Sequence, residues 1–457
     1  MKKSFLILAA AAGMFAACTN DEAVLEQPVA QQGQTPVTFG AYVNRATTRA
    51  GQAGDQETAT LKAATDDVTL SEGFAVFGYY TNNENYSQYA TPNFMYNQKV
   101  YGDPFTYSPV KYWPNEYGNV SAAAGAFSDD VDKVSFFAYA PYVEVDPTTG
   151  IVKGDEVAKA NNIVQISRNS ATGDPMIKYV VDVKPASSVD LLWGVAPATS
   201  DYATIGGAKE ASVVTGGMPY LNLAKAADDK KVDFNFKHAL AKLNVDIDAL
   251  VDGTDAVAAG TKIYVRSITF TGLATKGVLN LNNTAAGSPL WLDFDGRNPI
   301  VASAVTFYDG RKDGKEAIEN GEQKSELPVM LNTALLQNAG STTAGVTKTP
   351  VNLFQSDSKD ASIYVIPTND ALDVRIVYDV ETVDGNLATY IADGVTHGSS
   401  IENNIYKDDV FASIEAGNAY TLHLHLGMTS VKFDAVVTGW SDLTAVDTNL
   451  PGTPVVP

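Results

Sequence analysis

The sequence predicts an all-β fold arranged as two β-sandwiches in tandem. Three observations carry that reading. Short apolar runs recur along the chain, set apart by Gly, Pro, Asn and Asp, which is the punctuation of strands and turns. No long stretch shows the apolar spacing of an amphipathic helix. The strand series also runs through one cycle, is interrupted by the polar span 196–231, and starts again, so one sandwich follows another.

The first elements precede the sandwiches. Lys2 and Lys3 open the chain, Phe5 to Ala12 form an apolar run, and Ala16-Ala17 lead directly into Cys18, the single cysteine. This order is a bacterial secretory signal (1–17) ending in a lipobox, whose thiol receives a diacylglycerol; Phe15 stands where Leu is usual. The run falls short of the roughly 20 apolar residues that a bilayer span needs. Residues 19–35 are polar and Gln-rich and read as a flexible tether. Val37, Phe39, Ala41 and Val43 then alternate with Thr38, Gly40, Tyr42 and Asn44, the period of a strand with one buried face. Arg45 and Arg49 follow at once in Asn-Arg-Ala-Thr-Thr-Arg-Ala, and no further basic residue occurs before Lys62. Two readings fit: a strand made to be cut away as part of a propeptide (18–49), or an ordinary first strand followed by a loop.

The N-terminal sandwich is expected over 50–231. Its strands are Phe74 to Tyr80, Ser135 to Ala140 stopped by Pro141, Tyr179 to Val183 ended by Pro185, and Asp190 to Gly194. The C-terminal sandwich is expected over 232–440. It starts at Val232 to Phe236 and runs through Leu240 to Ile247, Ile263 to Phe270, Gly277 to Leu281, Ser362 to Ile366, Leu372 to Val380, Tyr420 to Leu426 and Val431 to Val437. Ala249 to Gly260 reads as a loop or helical turn. A tail of 441–457 remains.

Composition excludes several classes. With one cysteine the chain forms no internal disulfide, so large apolar cores must hold it. The 32 basic against 53 acidic residues give a net charge of −21, which argues against nucleic acid and against adhesion to anionic lipid by charge. With Cys18 lipidated, no Cys–His nucleophile exists, and no serine lies in a Gly-x-Ser-x-Gly elbow. Paired carboxylates for glycoside hydrolysis do not stand out among the scattered Asp and Glu. No enzymatic activity, catalytic residue or cofactor is expected.

Several short segments carry a family resemblance. Pro109-Val110-Lys111-Tyr112-Trp113-Pro114, Phe136 to Pro141, Phe236 to Leu243 and the closing Val436-Val437-Thr438-Gly439-Trp440 resemble, in the same order, the landmarks of the fimbrillin family, the subunits of type V pili. The resemblance implies two transthyretin-like β-sandwich domains and lipoprotein export to the outer membrane. It also implies cutting after an arginine by an Arg-specific outer-membrane protease. Removal of the first strand then opens a groove that a strand of the next subunit fills, so the partners are other copies and companion pilins at the cell surface. Arg49 is the preferred cut site because Ala50 and Gly51 follow it, whereas Arg45 lies close to the strand. The tail 441–457 is the possible donor strand. Its Pro451, Pro454 and Pro457 suit a ladder poorly, so an unstructured end, as in a tip subunit, stays open.

Other constellations have plainer readings. His423 and His425 share one strand face opposite Leu422, Leu424 and Leu426; a solvated outer face accounts for them, and no metal site is expected. His238 reads as a packed structural histidine. Asp66-Asp67 and Asp129-Asp130 with Asp132 lack EF-hand spacing and read as solvated turns. The tyrosines between Tyr79 and Tyr117 suit half-buried loop packing, with a glycan or protein receptor surface as the minor reading. The competing function is a monomeric surface lipoprotein that binds polysaccharide, or a fimbrial anchor that stays uncut.

Overall fold

In this computed structural model the described residues are 35–43, 58–62, 72–82, 84–114, 132–153, 162–182, 188–197, 214–225, 231–248, 262–283, 289–309, 362–381, 400–426, 431–439 and 446–451, with a few short paired fragments. Residues 35 onward form one compact unit.

The first half builds one large sheet and one small one. Its elements are β1 (Phe39–Val43), α1 (Thr58–Leu61), β2 (Phe74–Tyr80), β3 (Met95–Val100), β4 (Val134–Ala140), β5 (Ile163–Ile166), β6 (Met176–Val180), β7 (Leu192–Val195), β8 (Tyr220–Leu223) and β9 (Val232–His238). The large sheet runs β1-β9-β7-β4-β2-β3, with β8 beside β4. Every residue of β4 is buried, and in β2 only the last is not. Such strands are covered on both faces. Ala75, Phe77, Tyr79, Phe137 and Tyr139 enter one core, while Phe74, Val76, Phe136 and Ala138 enter another on the opposite face.

The second half contains β10 (Ala241–Asp248), β11 (Lys262–Leu273), β12 (Lys276–Asn280), β13 (Leu290–Leu292), β14 (Ser303–Asp309), β15 (Ile363–Val365), β16 (Leu372–Glu381), β17 (Ser400–Phe411), β18 (Asn418–Leu426), β19 (Val431–Gly439), β20 (Val446–Pro451) and β21 (Thr453–Pro454). One sheet runs β10-β18-β19-β20, with β15 on the other side of β10; its partner runs β14-β11-β16-β17-β21. Between them lies a core of Leu243, Val245, Ile268, Phe270, Ile376, Tyr378, Leu422 and Leu424, all buried.

Strand pairing crosses the domain boundary expected at 231/232. β9 belongs to the first sheet, between β1 and β7. β12 pairs with β6, and β13 pairs with β12, completing the small sheet β13-β12-β6-β5. The chain therefore leaves the first sandwich near Ala239, returns for 276–292, and leaves again. Trp291 seals the return, its indole N–H donating to the Ala239 carbonyl at 2.8 Å. A boundary drawn from local polarity missed this because pairing partners are distant in sequence.

Most expected strands are present at the expected places. The strand expected at Tyr179 to Val183 lies instead at 176–180, and β3, β5, β8, β13, β14 and β17 were not foreseen. The expected loop at 249–260 contains a short pairing of Leu250–Val251 with Asp255–Ala256. The tail departs most: β20 adds to β19 in antiparallel register, and β21 pairs with β17, so the tail is paired along the edges of both C-terminal sheets. Pro451 falls at the end of β20 and Pro454 in the two-residue β21, where a missing N–H costs the ladder little.

Candidate functional site

The candidate site is the first strand and the groove that holds it. β1 lies at the edge of the large sheet, parallel to β9, with Phe39 opposite Val232 and Val43 opposite Phe236. Just before β1 the chain is flanked on its other side by 111–113. The Val37 N–H donates to the Lys111 carbonyl at 2.9 Å, and the Trp113 N–H donates to the Thr35 carbonyl at 3.0 Å. Residues 35–37 and β1 thus meet two hydrogen-bonding neighbours, and their departure would leave a row of unpaired backbone groups.

The alternation read from the sequence is the one the fold uses. Val37, Phe39 and Val43 are buried at 1%, 4% and 7% exposure, and Ala41 packs partly buried against the same core. Phe39 is the anchor. Its ring stands 5.4 Å from Tyr107, 5.7 Å from Phe136 and 6.1 Å from Phe234. Trp113 closes over Phe136 at 5.9 Å, and Leu61 of α1 is buried in the same cluster. The outward residues are Gly40 and Tyr42. A Cβ at Gly40 would meet the Asp233 carboxylate of β9, the end of a side chain that can turn aside. Tyr42 is exposed, and partial burial and then the Asp233 charge raise its pKa.

Two side chains lock the backbone of this strand. The Tyr107 hydroxyl donates to the Val37 carbonyl at 2.7 Å and accepts from the Lys111 N–H at 3.2 Å, joining both sides of the groove. Burial pushes the Tyr107 phenol up to about 12, so it is a neutral donor at physiological pH. At the other end, the Val43 N–H donates to Thr58 Oγ1 at 3.0 Å. Val43 and Thr58, the described residues on either side of the stretch that carries Arg45 and Arg49, therefore meet at the groove. Sequence reasoning missed Tyr107 and Thr58 as clamps, because neither lies in a recurring pattern.

Cys18, Arg45 and Arg49 lie outside the described residues, as do Asp66-Asp67, Asp129-Asp130, Tyr117 and Trp440. His238 is packed: its Nδ1 is 2.7 Å from Oδ2 of the fully buried Asp190. Most of the described tyrosines in the tyrosine-rich span are half-buried, and Tyr79 and Tyr107 are buried. The Tyr86 hydroxyl donates to Asp174 at 3.1 Å and that of Tyr96 to the Ser167 carbonyl at 2.9 Å, whereas Tyr89 projects 77% exposed. Asp132 accepts a hydrogen bond from the Tyr80 hydroxyl at 3.2 Å. Among the described residues no helix is long and apolar enough to cross a membrane.

Comparison with known proteins bears on this arrangement. Residues 222–440 match the family model described as fimbrillin-like, a span that begins within β8 and includes β9, the strand beside β1. Fimbrium subunit Fim1C of Phocaeicola vulgatus is 22% identical, over 86% of this chain and 88% of that protein. Among solved structures, a candidate cell adhesion protein from Bacteroides uniformis aligns with 89% of this chain and 98% of its own at 15% identity and a TM-score of 0.35. A fimbrial assembly protein from Parabacteroides distasonis aligns with 91% of this chain and 99% of its own at 10% identity and a TM-score of 0.31. On the family match over 222–440 and the relative that runs along most of its length, the chain is similar to proteins of the fimbrillin family.

Proposed function

We propose that the protein is a structural subunit of a cell-surface fimbria that assembles by strand replacement. In this reading it is exported as a lipoprotein through Cys18 and cut after Arg49, or Arg45, by an Arg-specific protease at the outer membrane. Loss of β1 opens the groove, and a strand of the next subunit or a companion pilin fills it by β-augmentation. The observation that carries the reading is the setting of β1: an edge strand with buried apolar side chains, whose last residue Val43 bonds Thr58 across the stretch of sequence that holds the two arginines.

The energetics support a plug that blocks assembly while attached. Val37, Phe39 and Val43 each contribute about 1.5–3 kcal/mol by burial, and each ladder hydrogen bond adds about 0.5–1.5 kcal/mol. Attachment through 44–57 keeps the plug at an effective concentration in the millimolar range, which an incoming strand cannot match. A cut between Val43 and Thr58 removes that advantage without touching the groove. A replacement strand making the same contacts would then form a long-lived joint.

The test is the N-terminus of protein recovered from the cell surface. A chain starting at Ala50 or Ala46 supports the pilin. A chain starting at lipidated Cys18 leaves an anchor subunit or an anchored polysaccharide-binding protein. Arg49→Ala should give an uncut, monomeric precursor, and normal fibres from that variant would refute the assignment of Arg49. A second role within the fibre, a tip that accepts a strand and donates none, is favoured by one observation: the tail is already paired at home through β20 and β21.

A further inference from the structure

The groove keeps an imprint of the strand that fills it, and the imprint is aromatic at one position. Val37, Phe39, Ala41 and Val43 all face the same core, but Phe39 alone is ringed by aromatic side chains. Phe136 of β4 stands edge-on to it at 82°, Phe234 of β9 lies stacked at 20°, and Tyr107 is tilted at 57°. These rings are held in turn: Trp113 stands edge-on to Phe136, and Phe74 edge-on to Phe234. All five surrounding rings are buried. Ring pairs of this geometry contribute beyond the area they bury, and a packed core closes only partly over the space a smaller side chain leaves.

The chain's own tail lacks the matching side chain. Residues 441–457 contain no Phe, Tyr or Trp. In the parallel register of β1, the tail's best fit to apolar residues at the first, third and seventh positions is Thr444, Val446 and Leu450, which sets Val446 where Phe39 sits. That part of the tail is also paired already. Val446 and Leu450 belong to β20, opposite Val437 and Phe433 of β19, and β21 is held by β17.

We infer, resting on the strand-replacement reading, that the groove selects a strand of a different chain, one with an aromatic residue third in an apolar-x-aromatic-x-small-x-apolar run, and that a second copy of this chain is not the donor. The Tyr107 hydroxyl bonds the Val37 carbonyl, a group that every strand has, so it holds a strand without selecting one. Selection falls on the Phe39 position. A joint between two copies is opposed twice, by the space Val446 would leave among the rings and by the β20 ladder that would be given up.

The experiment is a competition on the full chain, made without lipid, labelled at Cys18 and nicked by an Arg-specific protease. Unlabelled peptides are added in excess, and displacement of the labelled strand is followed by fluorescence anisotropy. A peptide of residues 35–44 should displace it. The same peptide with Phe39→Leu should need about tenfold more, and with Phe39→Ala at least about a hundredfold more. A peptide of residues 441–457 should be at least about a hundredfold weaker than the 35–44 peptide, and Val446→Phe within it should recover about tenfold. The nicked protein alone should give no high-mass ladder in warm detergent. Failure of the 35–44 peptide itself would sink strand replacement and the selectivity together. Displacement by that peptide, matched by 441–457 or by the Phe39→Ala form, would overturn the selectivity and leave strand replacement standing. So would a ladder from the nicked protein alone.

Discussion

If Phe39 anchors the removable strand, truncating it should free the strand without unfolding the sandwich behind it. Phe39 is 4% exposed and touches Tyr107, Phe136 and Phe234 across the groove. Phe→Ala at a buried site costs about 3–5 kcal/mol, part lost transfer energy and part the cavity left behind. At 1.4 kcal/mol per decade, that weakens the hold of the cut strand by about two to three and a half decades. The assay uses the single cysteine. Protein made without lipid is labelled at Cys18 and nicked with an Arg-specific protease, and release of the labelled fragment is followed by fluorescence anisotropy. Phe39→Ala should release at least a hundredfold faster than the parent, with the unfolding transition of the remaining chain unchanged. Tyr42→Ala, on the outward side of the same strand, is the control and should shift release by less than threefold, about 0.5 kcal/mol. Equal effects at Phe39 and Tyr42, or release within threefold of the parent for Phe39→Ala, would refute the plug reading.

Other outcomes follow from the same contacts. Tyr107→Phe removes the donor to the Val37 carbonyl and leaves that buried acceptor unpaired, a cost of about 1–3 kcal/mol, so fragment release in the nicked protein should speed about 5- to 150-fold. Alkaline pH should act in the same direction. The Tyr107, Tyr96 and Tyr142 phenols are raised to about 12, chiefly by burial, above the unfolded value near 10. Between those values the unfolded chain binds fewer protons than the folded one, so stability is intact below pH 10 and falls as pH rises toward 12. Thermal melts across pH 9–12 measure this, and a flat profile would contradict the burial of these rings. Deleting residues 441–457 separates the fibre roles: a shaft subunit would stop elongating, whereas a tip subunit would cap fibres as before. Loss of β20 and β21 should also lower the melting point of the C-terminal sandwich in either case.

Much of the fold is legible in the residues themselves. Tyr420 to Leu426 alternate Leu with His and Thr, and the fold buries the leucines. Phe74 to Tyr80 and Ser135 to Ala140 are continuous apolar runs, and their strands are covered on both faces. In each case the side-chain period records a burial environment that the residue feels directly. β3 escaped notice because Met95-Tyr96-Asn97-Gln98-Lys99-Val100 carries polar residues that the core satisfies: Asn97 donates to the Val143 carbonyl and accepts from the Tyr139 hydroxyl, and Lys99 lies over the Tyr142 ring. Those partners are distant in sequence, so nothing local announces them.

The sequence by itself determined the class of fold, the apolar face of the first strand and the order of strand and arginines, since each is a property of neighbouring residues. Only the tertiary structure decided where that strand goes: parallel to β9, flanked at its start by 111–113, and clamped by Tyr107 and Thr58. It also decided that β9, β12 and β13 complete the first sandwich and that the tail pairs at home. The physical reason is common to all of these. A strand's hydrogen-bonding edges are the same whatever its residues, so its partner is chosen by shape and burial summed over the assembled sheets, which no local stretch of chain contains.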